Sequence, residues 1–76
     1  MMKRLAYSRG RCQLQYWLDQ RGYTQAQFAQ LIGWSERMVS FWCKNQRLMS
    51  VDAMYNASRI LKIKMEDLYR WDLIVQ

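Results

Sequence analysis

Seventy-six residues make one small domain, which buries only about 60% of its unfolded surface. An apolar fraction of 51%, with four Trp, five Tyr and two Phe, suffices for a compact core without staples; two cysteines without ligand spacing, Cys12 and Cys43, and the absence of His argue against a zinc site. The net charge is +6, no apolar run approaches the roughly 18 residues of a membrane span, and no signal-peptide core follows Lys3 and Arg4, so a cytoplasmic, nucleoid-associated protein without cofactor or membrane partner is expected.

In chain order, residues 1–10 read as a basic arm and residues 11–76 as one helical domain. Leu14, Trp17 and Leu18 form an i, i+3, i+4 stripe that predicts a first helix over about 11–21, with Gly22 as its stop and Tyr23 turned back to the core. Thr24 and Gln27 make a capping box for a second helix over about 25–32. Gly33 supplies a tight turn, and Ser35 caps a third helix of roughly 36–44, with Glu36 at its positive end. Ser50 caps a fourth helix of about 51–61, lined by Val51, Met54, Ala57, Ile60 and Leu61. A last helix over about 65–73 contributes Met65, Leu68 and Trp71. Spacings of three and four leave no place for strands, so the expected fold is all-α, with about five helices.

The stretch from Thr24 to Trp42 carries the most information. Phe28, Ala29, Ile32, Trp34, Val39 and Trp42 fall where two helices meeting at a steep angle share a core, and Ala29 is small enough for close approach. Trp17, Trp34 and Trp42 are accordingly core residues, and Met38 lies between faces. Ser35, Glu36, Arg37, Ser40, Phe41 and Lys44 are left outside, a polar and basic face suited to the major groove. Charge follows the same division. Residues 1–21 carry five basic side chains against Asp19, residues 22–47 carry three against Glu36, and residues 48–76 balance four against four. The excess sits where a polyanion-binding face needs it, although a solvated basic surface accounts for it equally well.

These residues resemble the helix-turn-helix family of phage repressors and Cro proteins. Leu14, Gly22-Tyr23-Thr24-Gln25, Phe28-Ala29, Gly33 and Trp34-Ser35 match its pattern, as do Ser50, Ala57-Ser58-Arg59-Ile60-Leu61 and Met65-Glu66-Asp67-Leu68. The likeness covers about residues 14–69 and implies a compact, five-helix, lambda-repressor-like domain with its helix-turn-helix at about 25–44. Departures are Leu18 for a frequent arginine, Cys43 and Asn45 for a glutamate and a glycine, and Lys62 and Lys64 for a glycine and a serine cap.

By position, the resemblance implies that Gln25 binds a backbone phosphate at the start of the second helix. Ser35, Glu36, Arg37, Ser40 and Phe41 face the groove. Arg37 is the best base reader, its fork matching guanine O6 and N7, against a phosphate contact or an ion pair with Glu36 or Asp52. Glu36 either accepts from cytosine N4 or only caps the dipole. Phe41 either touches a thymine methyl or packs on the arm. Lys44, Asn45, Gln46 and Arg47 clasp the backbone, and Lys3, Arg4, Arg9 and Arg11 either reach the DNA or stay disordered.

The leading expectation is a sequence-specific, double-stranded DNA-binding transcriptional regulator, a repressor of phage or mobile-element type. With no appended sensor domain, its control comes through concentration, a protein partner or an antirepressor. It pairs as a homodimer on DNA through Tyr69, Trp71, Leu73, Ile74 and Val75, unless that tail folds back over the first helix. The competing class is an antitoxin-like or adaptor domain that holds a protein. An enzyme is disfavoured by the lack of His, of a nucleophile–base pair, of a Gly-rich phosphate loop and of clustered carboxylates.

Overall fold

The computed structural model describes residues 5–75, and side chains from 6 to 74. Strand β1 (Leu5–Cys12) leads into helices α1 (Leu14–Arg21), α2 (Gln25–Ile32), α3 (Glu36–Cys43) and α4 (Val51–Leu61). A 3-10 turn (Met65–Leu68) and strand β2 (Tyr69–Val75) close the chain.

Local chemistry sets each helix boundary. Gly22, at φ 76°, stops α1, and the Tyr23 N–H donates to the Leu18 carbonyl at 2.9 Å. Thr24 Oγ1 accepts from the Gln27 amide at 3.1 Å while Gln27 Oε1 accepts from the Thr24 amide at 2.9 Å, the expected capping box. Ser35 Oγ and Ser50 Oγ each accept at 3.1 Å from the third residue of their helices, Met38 and Ala53. α4 ends on Lys62 in the left-handed region at φ 58°, where the family usually has glycine. Arg21 Nε donates to the Leu61 carbonyl at 2.8 Å and so satisfies one orphaned group at that end.

The core is continuous. Leu14 and Leu18 from α1, Phe28 and Ala29 from α2, Val39 and Trp42 from α3, and Ala53, Met54, Ala57 and Leu61 from α4 meet Cys12, Met49, Leu68 and Tyr69. Ile32, Met38, Tyr23 and Trp17 pack around it half-buried, and Trp17 Nε1 donates to the Asp67 carbonyl at 2.8 Å.

Five expectations need correction. The last helix does not form: after one 3-10 turn the chain extends, and Trp71 lies on a strand. The first helix starts at Leu14, because residues 5–12, expected as basic arm and helix start, are β1. Among the described residues the fold therefore combines four helices with a two-stranded sheet instead of five helices, and strands form despite apolar spacings of three and four. Trp34 was placed in the core but is 41% exposed, since it occupies the α2–α3 turn and meets Trp42 edge-on, centroids 5.3 Å apart. Val51 was placed on the buried face of α4 but is exposed at its first turn. Lys3 and Arg4 lie outside the described residues.

β1 and β2 pair antiparallel, Leu5 opposite Val75, Tyr7 opposite Leu73 and Arg9 opposite Trp71, with a bulge before Cys12 meets Tyr69. In the bulge Gly10 lies against the Arg70 carbonyl and the Asp72 carboxylate. A Cβ there would approach each to 2.9 Å, so the crossing requires glycine. The ribbon reaches out from the helices, and the molecule measures 50 × 23 × 20 Å.

Candidate nucleic-acid interface

α3 is held from below and behind. Val39 and Trp42 sink into the core, and Ala29, with no side chain beyond Cβ, lets α2 cross closely. Gly33, at φ 80°, turns the chain between them while its amide and that of Trp34 donate to the Ala29 carbonyl at 2.9 and 3.2 Å. The turn that presents α3 is thus fixed by backbone geometry, in a conformation only glycine adopts without strain.

The opposite side of α3 faces solvent. Ser35, Glu36 and Arg37 are exposed at its start, and Ser40 and Phe41 are half-buried one turn later. Glu36 sits in the first turn, where a carboxylate complements the helix dipole. Lys44, Asn45, Gln46 and Arg47 form an exposed loop that folds back on the helix. The Gln46 and Arg47 amides both donate to the Phe41 carbonyl, at 2.8 and 3.4 Å. Asn45 takes the left-handed conformation at φ 60°, so an asparagine performs the turn usually given to glycine.

Phe41 does not stand free. The guanidinium groups of Arg37 and Arg47 lie 5.6 and 5.3 Å from its ring centroid. Each such contact contributes about 0.5–1 kcal/mol at an exposed site. It also restrains side chains that otherwise carry about 2 kcal/mol of rotamer entropy. Among the described residues the one ion pair is Arg70–Asp72, so neither Glu36 nor Asp52 ties up Arg37.

Gln25 stands apart from this cluster. It is half-buried at the start of α2, and its Nε2 donates to Gln15 Oε1 at 2.7 Å, while Gln15 Nε2 donates to Asp19 at 2.8 Å. The chain of amides fixes the Gln25 side chain on α1.

Sequence reasoning missed how the loop is anchored. Asn45 Oδ1 accepts from the Cys12 amide at 3.4 Å, and the Tyr69 hydroxyl accepts from the Met49 amide at 2.9 Å. Both ends of the loop that follows α3 are therefore pinned to the base of the ribbon, and Arg9 lies 5.3 Å over the Tyr69 ring. The Phe41 cluster had a usable signal, since Arg37 and Phe41 are i and i+4 on one helix face. The ribbon contacts, across 33 and 20 residues, had none.

A helix presented across a glycine turn, with a polar outer face and unpaired cations beside it, defines the helix-turn-helix class of DNA-binding proteins. A helix-turn-helix family profile matches residues 14–68, and the chain belongs to the Cro/C1-type helix-turn-helix family. No curated protein matches it. No helix among the described residues is long and apolar enough to cross a membrane.

Proposed function

We propose that this DNA-binding regulator is a sequence-specific repressor of phage or mobile-element type that acts as a homodimer on a two-fold operator. The observation that carries sequence-specific reading is the Arg37–Phe41–Arg47 cluster on the open face of α3. It holds Arg37 toward the groove, where its fork reads a guanine, and Arg47 at the rim, where it meets phosphate. Ser35, Ser40 and Glu36 complete the reading face, Phe41 offers its free edge to a thymine methyl, and Lys44, Asn45 and Gln46 extend the phosphate contacts. Gln25 meets the phosphate flanking α2. The repressor role rests on the resemblance to phage repressors and Cro proteins, and dimerisation on the few base pairs that one helix can read.

A salt titration of DNA binding tests this. With about 6–10 phosphate contacts in a dimer, affinity falls by roughly 10³ to 10⁵ between 50 and 200 mM salt. Arg37→Ala costs about 1–3 kcal/mol on the preferred site and flattens preference at one base pair, whereas Lys44→Ala weakens all sequences alike and lowers the salt slope by about one. Absence of duplex binding at low salt sinks the proposal. Unchanged preference in Arg37→Ala moves base reading to Glu36, Ser40 or Phe41.

A further inference from the structure

Among the described residues Phe41 is the one half-buried apolar side chain that does not pack against the core. Ile32, Met38 and Cys43, on the same pair of helices, all do. What covers Phe41 is charge, the guanidinium groups of Arg37 and Arg47 at 5.6 and 5.3 Å from its ring centroid. Burial gives little reason for this placement, since a large ring on the outer face of α3 keeps part of its area in water.

The cover also belongs to the DNA-binding machinery. In the reading above Arg37 engages a guanine and Arg47 a phosphate, and the ring between them then faces the duplex. A phenyl ring neither donates nor accepts a hydrogen bond, so the donors and acceptors along the base edges offer it nothing. The major groove displays one apolar group on its base edges, the C5 methyl of thymine. Base pairs stack about 3.4 Å apart, so a ring this close to the Arg37 guanidinium meets a methyl within a step or two of the guanine.

Deepening the base-reading face proposed above, and resting on it, we infer that Phe41 reads the pyrimidine C5 methyl itself, so that 5-methylcytosine is accepted in place of thymine at that position. The two bases carry the same methyl on the same ring carbon. They differ at C4, where thymine has a carbonyl acceptor and cytosine an amine donor, and the ring bonds to neither. Methylation of a cytosine at this position therefore raises affinity, and occupancy of such a site follows the methylation state of the DNA. Burying one methyl group is worth about fourfold in affinity per half-site, and about fifteenfold over a two-fold operator.

The test starts from the preferred duplex obtained by random-site selection with the full chain. Each thymine is replaced in turn by uracil, which removes the methyl and nothing else. One replacement, within a step or two of the guanine that Arg37 reads, lowers affinity about fourfold per half-site. At that position cytosine and 5-methylcytosine are then compared, and methylation raises affinity by about the same factor.

Phe41→Ala keeps its helical circular dichroism, because the ring lies off the core, and binds thymine and uracil alike and the two cytosines alike. Phe41→Leu, still apolar, retains most of the methyl preference. These variants separate contact with the methyl from any effect of methylation on duplex shape. Uracil tolerated at every thymine by the wild-type chain, or a methyl effect of equal size in Phe41→Ala, overturns the methyl reader and leaves the regulator reading standing. A wild-type chain that binds no duplex at low salt removes the regulator reading, and the methyl reader with it.

Discussion

In the helical body each helix turns an apolar stripe inward, and Leu14, Leu18, Phe28, Val39 and Leu61 are wholly buried. In the ribbon the proportions reverse, since Tyr7, Leu73 and Ile74 face water and, among the described side chains, only Cys12 and Tyr69, at its base, reach the core. The body is held by burial, whereas the ribbon is held by backbone pairing at six positions and by two hydrogen bonds at its root. Position in the core, not membership of an element, thus determines what a residue contributes.

The sharpest way to break this contrast is a matched pair of substitutions. Trp42→Ala removes a side chain only 2% exposed and costs about 3–5 kcal/mol, most of the stability of so small a domain. Leu73→Ser, half exposed on the ribbon, stays within about 0.5 kcal/mol in the dilute monomer. Urea unfolding followed at 222 nm gives both numbers. Comparable losses from the two would show that the ribbon is as much a part of the cooperative unit as α3.

The same contrast explains what was legible in the sequence. Caps at Thr24, Ser35 and Ser50, the stop at Gly22 and the turn at Gly33 are local chemistry, and each was found at its expected residue. The stripe Leu14, Leu18 and the pair Val39, Trp42 follow from burial on one face, which leaves a period in the sequence. The ribbon leaves no such trace. Its strands join the two ends of the chain and cover little core, so neither face is consistently apolar: Arg9 sits beside Tyr7, and Asp72 beside Ile74. Residues 65–73 also carry a helix-like spacing of Met65, Leu68 and Trp71, which favoured the wrong element. The outward face of α3 was legible as composition, but the folding of Arg37 and Arg47 onto Phe41 depends on a loop whose course is set by Cys12 and Tyr69.

The link between the two regions is open to a smaller test. Tyr69→Phe keeps the buried ring and deletes the hydroxyl that accepts from the Met49 amide. A buried donor left unpaired costs about 1–3 kcal/mol. Hydrogen exchange at the Met49 amide accelerates accordingly, and DNA affinity drops as the loop after α3 loosens. Unaltered exchange at Met49 would detach the ribbon from the loop in energetic terms, whatever their contact.

Alkaline pH probes the same junction more gently. Burial, with smaller contributions from Cys12 and Asp19, pushes the Cys43 thiol from 9.0 up to about 12. Burial also raises Cys12 and Tyr69. Above pH 9 the unfolded chain releases thiol protons that the folded chain retains, so stability is fully present below that pH and declines as pH rises toward 12. Urea midpoints at pH 8, 9.5 and 11 should fall in that order, with a shallower fall in Cys43→Ala. A flat profile would mean that the thiols at the foot of the ribbon are open to water.

The smallest expected effect lies within the body, at a position where local preference and fold disagree. Lys62 ends α4 at φ 58° and ψ 48°, a conformation that costs an ordinary residue about 1–2 kcal/mol. Lys62→Gly removes that strain but adds about 0.5–1 kcal/mol of unfolded-chain entropy, leaving a net gain of roughly 0.5–1 kcal/mol. The exposed lysine side chain makes no hydrogen bond or ion pair within the described residues, so little else is lost with it. Melting temperature should therefore rise by a few degrees, with the 3-10 turn and ribbon unchanged. A fall on substitution would mean that the lysine stem supports the end of α4 by packing, and that burial governs the body even where its backbone is strained.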